Sequence, residues 1–384
     1  MQKIPVSKPL VGEEEKKMVM EALDSGEISG NFGRFIGEFE EGFARYSGCA
    51  YGVATTSGTT ALHLALVSLR IGTGDEVLVS TFTNMATFFA VLYTGATPVP
   101  IDIEPDTWNM NPAFLEGKVT PKTKAVLVVH VYGHPVDMDQ VLAVARKHNL
   151  FVIEDAAEAH GAEYLSSEAR AKGDRGKKVG SLGDIACFSF YANKIVTTGE
   201  GGMITTNDAA LAARARSLRS LAYGKERKFM HEDVGFNYRL TNMQAALGCA
   251  QLKKIDRIIE MKRAIARSYD ELLKDIPDLQ LPVEKSYAKN VYWMYHVVLR
   301  GALEGKRKNV RDALGQRGIE TREAFIPANK QEIFIKCGLM TEGDCPVANR
   351  VGENGFYLPS GPVLSQGELR YVADTLKDVL KNIQ

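Results

Sequence analysis

An excess of either charge is missing from this sequence: 47 Lys and Arg residues balance 47 Asp and Glu residues over 384 positions. A neutral chain has no general attraction for nucleic acid or for an anionic membrane surface, so neither partner is expected. Cysteine pairs are missing too. Cys49, Cys187, Cys249, Cys337 and Cys345 are scattered with no C-x-x-C, which argues against a disulfide frame or zinc site and fits reduced thiols in the cytoplasm. The seven histidines include no H-E-x-x-H or similar pair, and no metal is expected. No uninterrupted apolar run approaches the roughly 20 residues that span a bilayer. The stretch "MQKIPVSKPLVGEEEKKMV" turns acidic before any apolar run develops, so it does not read as a signal peptide. Internal repeats, low-complexity tracts, a Walker A loop and G-x-G-x-x-G are all absent, and the last two absences weigh against the common nucleotide-binding folds.

What is present is an ordinary globular composition, 45% hydrophobic and 24% charged, long enough for one large domain and a smaller one. From about residue 50 to 207, short apolar runs alternate with helical patterns: "EVLVST" (76–81), "TPVPIDI" (97–103), "KAVLVVHVYG" (124–133), "LFVIEDAA" (150–157), "IACFSF" (185–190) and "GGMITTND" (201–208). The runs are apolar on both faces, as parallel strands covered by helices are. The pattern predicts an α/β domain with a mostly parallel central sheet. A long helical pattern from Met243 to about Lys274, with Thr241 or Asn242 as N-cap, leads into a smaller C-terminal α/β domain. That domain holds a strand (292–299), a helix from about Lys306 to Arg317 and a closing helix from about Ser365 to Lys381. The predicted division is residues 1–250, with an N-terminal arm, and 251–384. The polar segment 165–178 reads as a solvent loop.

In parallel sheets ligands sit beyond the carboxyl ends of the strands, and three signals fall there. "TTSGTTALHLALVSL" (55–69) carries a strand into a helix through Gly58, with N–H groups at Thr59 and Thr60 suited to a phosphate. "VIEDAAEAHGA" (152–162) ends a buried strand on Glu154 and Asp155, and two buried carboxylates call for at least one cationic partner, such as a protonated pyridine nitrogen. "FSFYANKIVTTGEGG" (188–202) ends a buried strand on Ser189, then Lys194 and a glycine cluster. Singly, these are also what a capped helix, a structural carboxylate and a surface lysine look like. As an ordered set they suit pyridoxal 5'-phosphate: an amine for the aldehyde, a carboxylate for the ring nitrogen, donors for the phosphate.

The chain resembles the DegT/DnrJ/EryC1/StrS sugar aminotransferase family of fold type I (aspartate aminotransferase-like) pyridoxal phosphate enzymes. The likeness runs through "IPVSKPLVGEEE", "SGTTALHLAL", "VHVYGHPVDMD", "VIEDAAEAHGAEY", "FSFYANKIVTTGEGGMITTND", "VGFNYRLTNMQAALGCAQL", "VYWMYHVVL" and "FYLPSG". The resemblance implies that Lys194 forms the Schiff base and shuttles protons, that Asp155 pairs with the pyridinium, and that Glu158 lies near the ring hydroxyl. It implies phosphate contacts from Gly58, Thr59 and Ser189, with Asn237 reaching the neighbouring subunit's phosphate in a homodimer with shared sites. His160 and Arg239 are candidate substrate contacts, Arg239 equally a subunit-interface residue. His130 and His134 read at least as well as structural residues, and "VYWMY" as core. The implied reaction passes an amino group from an amino acid, glutamate by resemblance, through the pyridoxamine 5'-phosphate form to a nucleotide-linked 4-keto-6-deoxyhexose.

Two departures from the family pattern stand out. Asn84 occupies a position where an aromatic residue often stacks on the cofactor, which leaves the stacking residue open, with Phe82 and Phe88 near in sequence. About ten extra residues, 165–175, follow Tyr164. Histidine replaces the lysine in the family's dehydratase branch, so Lys194 argues for transamination. Amination at C3, or of another sugar nucleotide, stays open, as does a non-catalytic sugar-sensing protein on the same fold, against which intact Lys194 and Asp155 count.

Overall fold

The computed structural model describes residues 3–383 apart from 225, 228 and 232. Seven strands form the main sheet, in the order Tyr51–Thr55, Gly202–Thr206, Ile185–Ser189, Phe151–Asp155, Thr123–Val129, Glu76–Ser80, Thr97–Ile101. All run parallel except Gly202–Thr206, which is antiparallel to both neighbours. The exception follows from its connection. Residues 190–201 hold no helix, and a parallel crossover usually runs through one, whereas a loop can return the strand antiparallel. The carboxyl ends of the other strands therefore share one edge, and the start of Gly202–Thr206 joins them there.

The helix Gly58–Ser68 is apolar around nearly its whole circumference, so it is buried rather than half-exposed. It packs against the strands ending at Ser189 and Thr55 and the strand beginning at Gly202. Within Phe151–Asp155 alternate side chains face opposite ways. Ile153 joins the core on the side of this helix, and Val152 joins the core beneath Met138–His148. Asp155 and Glu154 inherit those two directions.

A four-stranded antiparallel sheet, Leu279–Gln280, Tyr295–Leu299, Gly355–Leu358 and Arg322–Glu323, forms a second layer. Helices Ile255–Leu273, Arg307–Gln316 and Gln366–Ile383 close its core. In the last, Leu369, Val372, Ala373, Leu376, Val379 and Leu380 recur at helical spacing on the buried side. The long pattern after Thr241 is two helices, Asn242–Leu252 and Ile255–Leu273. Thr241 caps the first by accepting from Gln244 N at 3.3 Å. At the break Lys253 and Lys254 pair with Glu14 and Glu15 of helix Glu13–Asp24. Ile4 bonds Gly318 and Glu320, so the arm grouped by sequence with residues 1–250 lies against the smaller sheet's surroundings. Segment 165–178 contains a short helix, Ser167–Lys172, capped by Ser166 and ended by left-handed Gly173. No helix among the described residues is long and apolar enough to cross a membrane.

Candidate active site

A cavity of about 350 Å³ opens at the carboxyl edge of the main sheet. Gly58, Thr59, Asn84, Asp155, Glu158, Ser189 and Lys194 line it from the large unit, and Trp293, Arg322, Phe325 and Tyr357 from the second.

The two strand-end carboxylates have different surroundings. Glu154 is fully buried and accepts from Gly180 N at 2.9 Å, Leu182 N and Gly183 N at 2.8 Å, and His130 Nε2 at 3.0 Å. Val136 N donates to His130 Nδ1 at 3.0 Å, which assigns the ring proton to Nε2. Burial raises the Glu154 pKa, but these bonds outweigh it and hold the carboxyl below its ordinary 4.5. Glu154 is thus satisfied without a cation. Glu154→Gln turns an amide NH₂ toward donors. It should cost about 2 kcal/mol, read as a lowered urea midpoint at neutral pH. A carboxyl held below its unfolded pKa stabilises above that value and loses the contribution as pH falls through the folded one. The gap between wild type and variant should accordingly close below about pH 4.5. A gap unchanged at low pH would sink the assignment.

Among the described residues Asp155 accepts only from Thr87 Oγ1 at 2.8 Å and Ala157 N at 3.1 Å. No cation touches it among the described residues, and burial pushes its pKa up. Its carboxylate faces the cavity short of a positive partner.

Lys194 follows the strand end, its backbone N donating to Tyr191 O at 2.9 Å. Its Nζ stands 3.8 Å from Glu158 Oε1 and 3.6 Å from the centroid of the Trp293 ring, with no hydrogen-bond acceptor among the described residues. Burial lowers the lysine's pKa and raises that of Glu158 to about 7, each partly offset by the other's charge. Both walls of this berth hang on Tyr132, whose backbone is left-handed at φ 53°. Its N–H donates to Glu158 Oε2 at 2.8 Å and its carbonyl accepts from Trp293 N at 2.8 Å. Such a conformation costs about 1–3 kcal/mol and persists where surroundings over-determine it. Here the ring is also stacked on His296 at 4.7 Å and Phe325 at 5.4 Å.

At the other end, Ser57 Oγ accepts from Thr60 N at 3.1 Å. That occupies one of the two amides expected from sequence for an anion. The N–H groups of Gly58 and Thr59, with no intrahelical acceptor, are left to the cavity. A Cβ on Gly58 would lie 2.8 Å from Ser189 Cβ, so only glycine lets this turn approach the Ser189 hydroxyl. A free amine, a carboxylate short of a cation, and amide and hydroxyl donors at a glycine cradle together fit pyridoxal phosphate.

Several expected contacts fall elsewhere. His160 is wholly buried against Phe43, Phe188 and Phe190, and burial drives its pKa down to about 3. The substrate contact expected of it does not fit that position. Asn237 is exposed and does not line its own chain's cavity. Arg239 is also outside it, donating to Ser220 Oγ at 3.0 Å. Neither Phe82 nor Phe88 reaches the cavity; both are fully buried, Phe82 against Tyr132 and Phe325, Phe88 against Phe334. Asn84 does line it and accepts from Ala86 N at 3.0 Å. Sequence reasoning missed Thr87, although Thr83 and Thr87 at helical spacing after a strand were a usable signal. It also missed Trp293, Arg322 and Tyr357, for which no local signal exists.

The model of the DegT/DnrJ/EryC1/StrS aminotransferase family matches residues 9–377. Among curated relatives, GDP-perosamine synthase of Caulobacter vibrioides is 44% identical over 379 residues, covering 98% of each chain. GDP-perosamine synthase of Escherichia coli O157:H7 is 40% identical over 378 residues, covering 98% of this chain and 99% of that one. Among solved structures, the putative sugar aminotransferase Spr1654 of Streptococcus pneumoniae in its PLP form superposes over all of both chains with a TM-score of 0.92 and 26% identity. The same pneumococcal protein is known in a PMP form.

Proposed function

Because the chain belongs to the DegT/DnrJ/EryC1/StrS aminotransferase family, and so is a pyridoxal-phosphate-dependent sugar aminotransferase, we propose that it aminates the C4 ketone of a nucleotide-linked 4-keto-6-deoxyhexose, with GDP-perosamine as product. The full-length likeness to two GDP-perosamine synthases supports the sugar. The amino sugar would enter a surface polysaccharide such as O-antigen. Glutamate is the amino donor in this reading, and the amino group travels on the pyridoxamine form, in keeping with a similar protein known in both PLP and PMP forms.

The observation that carries the site assignment is that a Lys194 amine without a hydrogen-bond acceptor and an Asp155 carboxylate without a contacting cation, both among the described residues, line one cavity. When bound, pyridoxal phosphate supplies an aldehyde that accepts an amino group and a ring that withdraws electrons from the carbon exchanging its proton. Gly58, Thr59 and Ser189 would hold its phosphate, Asp155 would keep the ring nitrogen protonated, and Glu158 would lie near the ring hydroxyl. Lys194 Nζ would anchor the cofactor, and its amine, held at the cavity, is the group that would take up and give back the proton in the reaction. Supplying the loaded enzyme with glutamate and a panel of keto-sugar nucleotides tests the substrate. Mass spectrometry and NMR should identify a 4-amino product on the GDP sugar; a 3-amino product, or turnover of another nucleotide only, overturns the assignment.

We further read the enzyme as a homodimer with shared sites. Asn237 is exposed, outside its own cavity, and preceded by Met230 and Val234, 60% and 79% exposed. An amide crossing to a neighbour's phosphate would make a charge-assisted bond. Mixing Lys194→Ala chains with Asn237→Ala chains should then yield heterodimers in which one site carries both lesions and the other neither. Activity should rise after subunit exchange toward one good site per mixed dimer. If tagged pull-down confirms exchange and activity stays flat, Asn237 serves its own chain.

A further inference from the structure

Trp293 comes from the second sheet's approach segment, about a hundred residues from Lys194, and its contacts converge on that lysine. Its indole Nε1–H donates to Asn193 O at 2.9 Å, the carbonyl next to Lys194. Its face lies 3.6 Å from Lys194 Nζ, well inside the roughly 6 Å range of a cation–π contact. It is 4% exposed, so the contact is screened from water. Tyr132 fixes it from behind through Trp293 N, and the same Tyr132 fixes Glu158 on the lysine's other side. A hydrophobic core tryptophan needs neither a lysine on its face nor a bond to that lysine's own backbone.

We propose that Trp293 is a positioning residue for Lys194: its indole face is the berth of the lysine ammonium whenever the lysine is not joined to the cofactor, and its N–H holds the backbone that carries it. The inference rests on the reading of Lys194 as the cofactor lysine. The berth stabilises the charged, released lysine, so it sets how readily the amine returns to the cofactor. It also keeps Nζ over the cavity, where released protons must be delivered. Glu158 and Asp155 act on the charge of Lys194 from the large unit, Lys194 in turn helps to keep buried His160 uncharged, and Tyr191, Glu200, Arg322 and Tyr357 complete the cavity's titratable wall. These are unchanged by substitution at Trp293.

The test follows imine formation between cofactor-stripped full-length protein and added pyridoxal phosphate, by cofactor absorbance, across pH. Only the uncharged amine attacks, so the midpoint of the pH–rate curve reports the lysine's charge, and the plateau reports its placement. Trp293→Leu removes a stabiliser of the ammonium and should move the midpoint down by about one unit. Trp293→Phe keeps a weaker aromatic face, preserves most of the packing and should move it down by about half as much. Loss of the Nε1–H bond should lower the plateau in both. Should the leucine variant fail to fold, the phenylalanine variant decides alone. A midpoint that stays in place, or moves up, overturns the berth. Borohydride trapping with peptide mapping of the wild type separates the two readings. A label on Lys194 with an unmoved midpoint sinks only the role of Trp293; a label on another lysine sinks the assignment of Lys194 itself.

Discussion

Lys194→Ala protein should fold and still take up cofactor, yet turn over on the order of 10⁴-fold more slowly than wild type, or not measurably. The lysine amine makes no hydrogen bond among the described residues; Glu158 is 3.8 Å away, and Asp155 acts on its charge from farther off. Removing it leaves Glu158 buried without a cation, but burial already holds that carboxyl at about 7 even with the lysine present. It can take up a proton in place of the lost partner, so stability should change little. Phosphate donors at Gly58, Thr59 and Ser189 remain, which is why non-covalent cofactor binding should survive. What disappears is the group that anchors the cofactor and carries the proton. The wild type should be yellow and, after borohydride, keep the cofactor on the Lys194 peptide; the variant should keep none. Substantial turnover in the variant, with the cofactor on another lysine, would end this assignment.

Asp155→Asn comes next in size, with an expected loss of about 10²-fold or more in turnover, the worth of one well-placed electrostatic contact in a dry site. The substitution is close to isosteric. Thr87 Oγ1, 2.8 Å away and itself 2.9 Å from Thr83 Oγ1, can reverse its donor role and accept from the new amide. The fold should therefore hold while the negative charge is lost. Without that charge a pyridine nitrogen in this cavity gives up its proton, and the ring withdraws electrons less well. Near-normal turnover in Asp155→Asn, with cofactor retained, would show that the carboxylate plays no such part.

The site was legible in sequence where its residues follow apolar runs. Ser189 lies at the end of "IACFSF" and Lys194 follows it, Asp155 closes "LFVIED", and Gly58 opens an apolar helix after "YGVAT". A parallel sheet brings all such ends to one edge, so strand recognition alone was enough to group them. Segment 165–178, read as a solvent loop, has no buried residue but contains a short helix for which Ser166, Glu168, Lys172 and Gly173 are local signals, with the Glu168–Lys172 pair at i,i+4. The single helix expected after Thr241 is divided at Lys253 and Lys254, which pair with Glu14 and Glu15, more than two hundred residues earlier.

The sequence by itself determined the mostly parallel α/β sheet, the arrival of Gly58, Asp155, Ser189 and Lys194 at its carboxyl edge, and the family that their order along the chain marks. Those are consequences of local periodicity and of chain direction, which are written residue by residue. Tertiary structure alone decided which of two adjacent carboxylates is free. Glu154 and Asp155 must point to opposite faces, and only the packing of loop 180–183 and of His130 shows that Glu154's face is the satisfied one. It also decided the lysine's surroundings. Tyr132 adopts a left-handed backbone that its residue type disfavours, and Trp293 arrives from a distant segment; neither is coded by its sequence neighbours. Both are held by hydrogen bonds and ring contacts between parts of the chain that meet only once the second sheet has docked on the first.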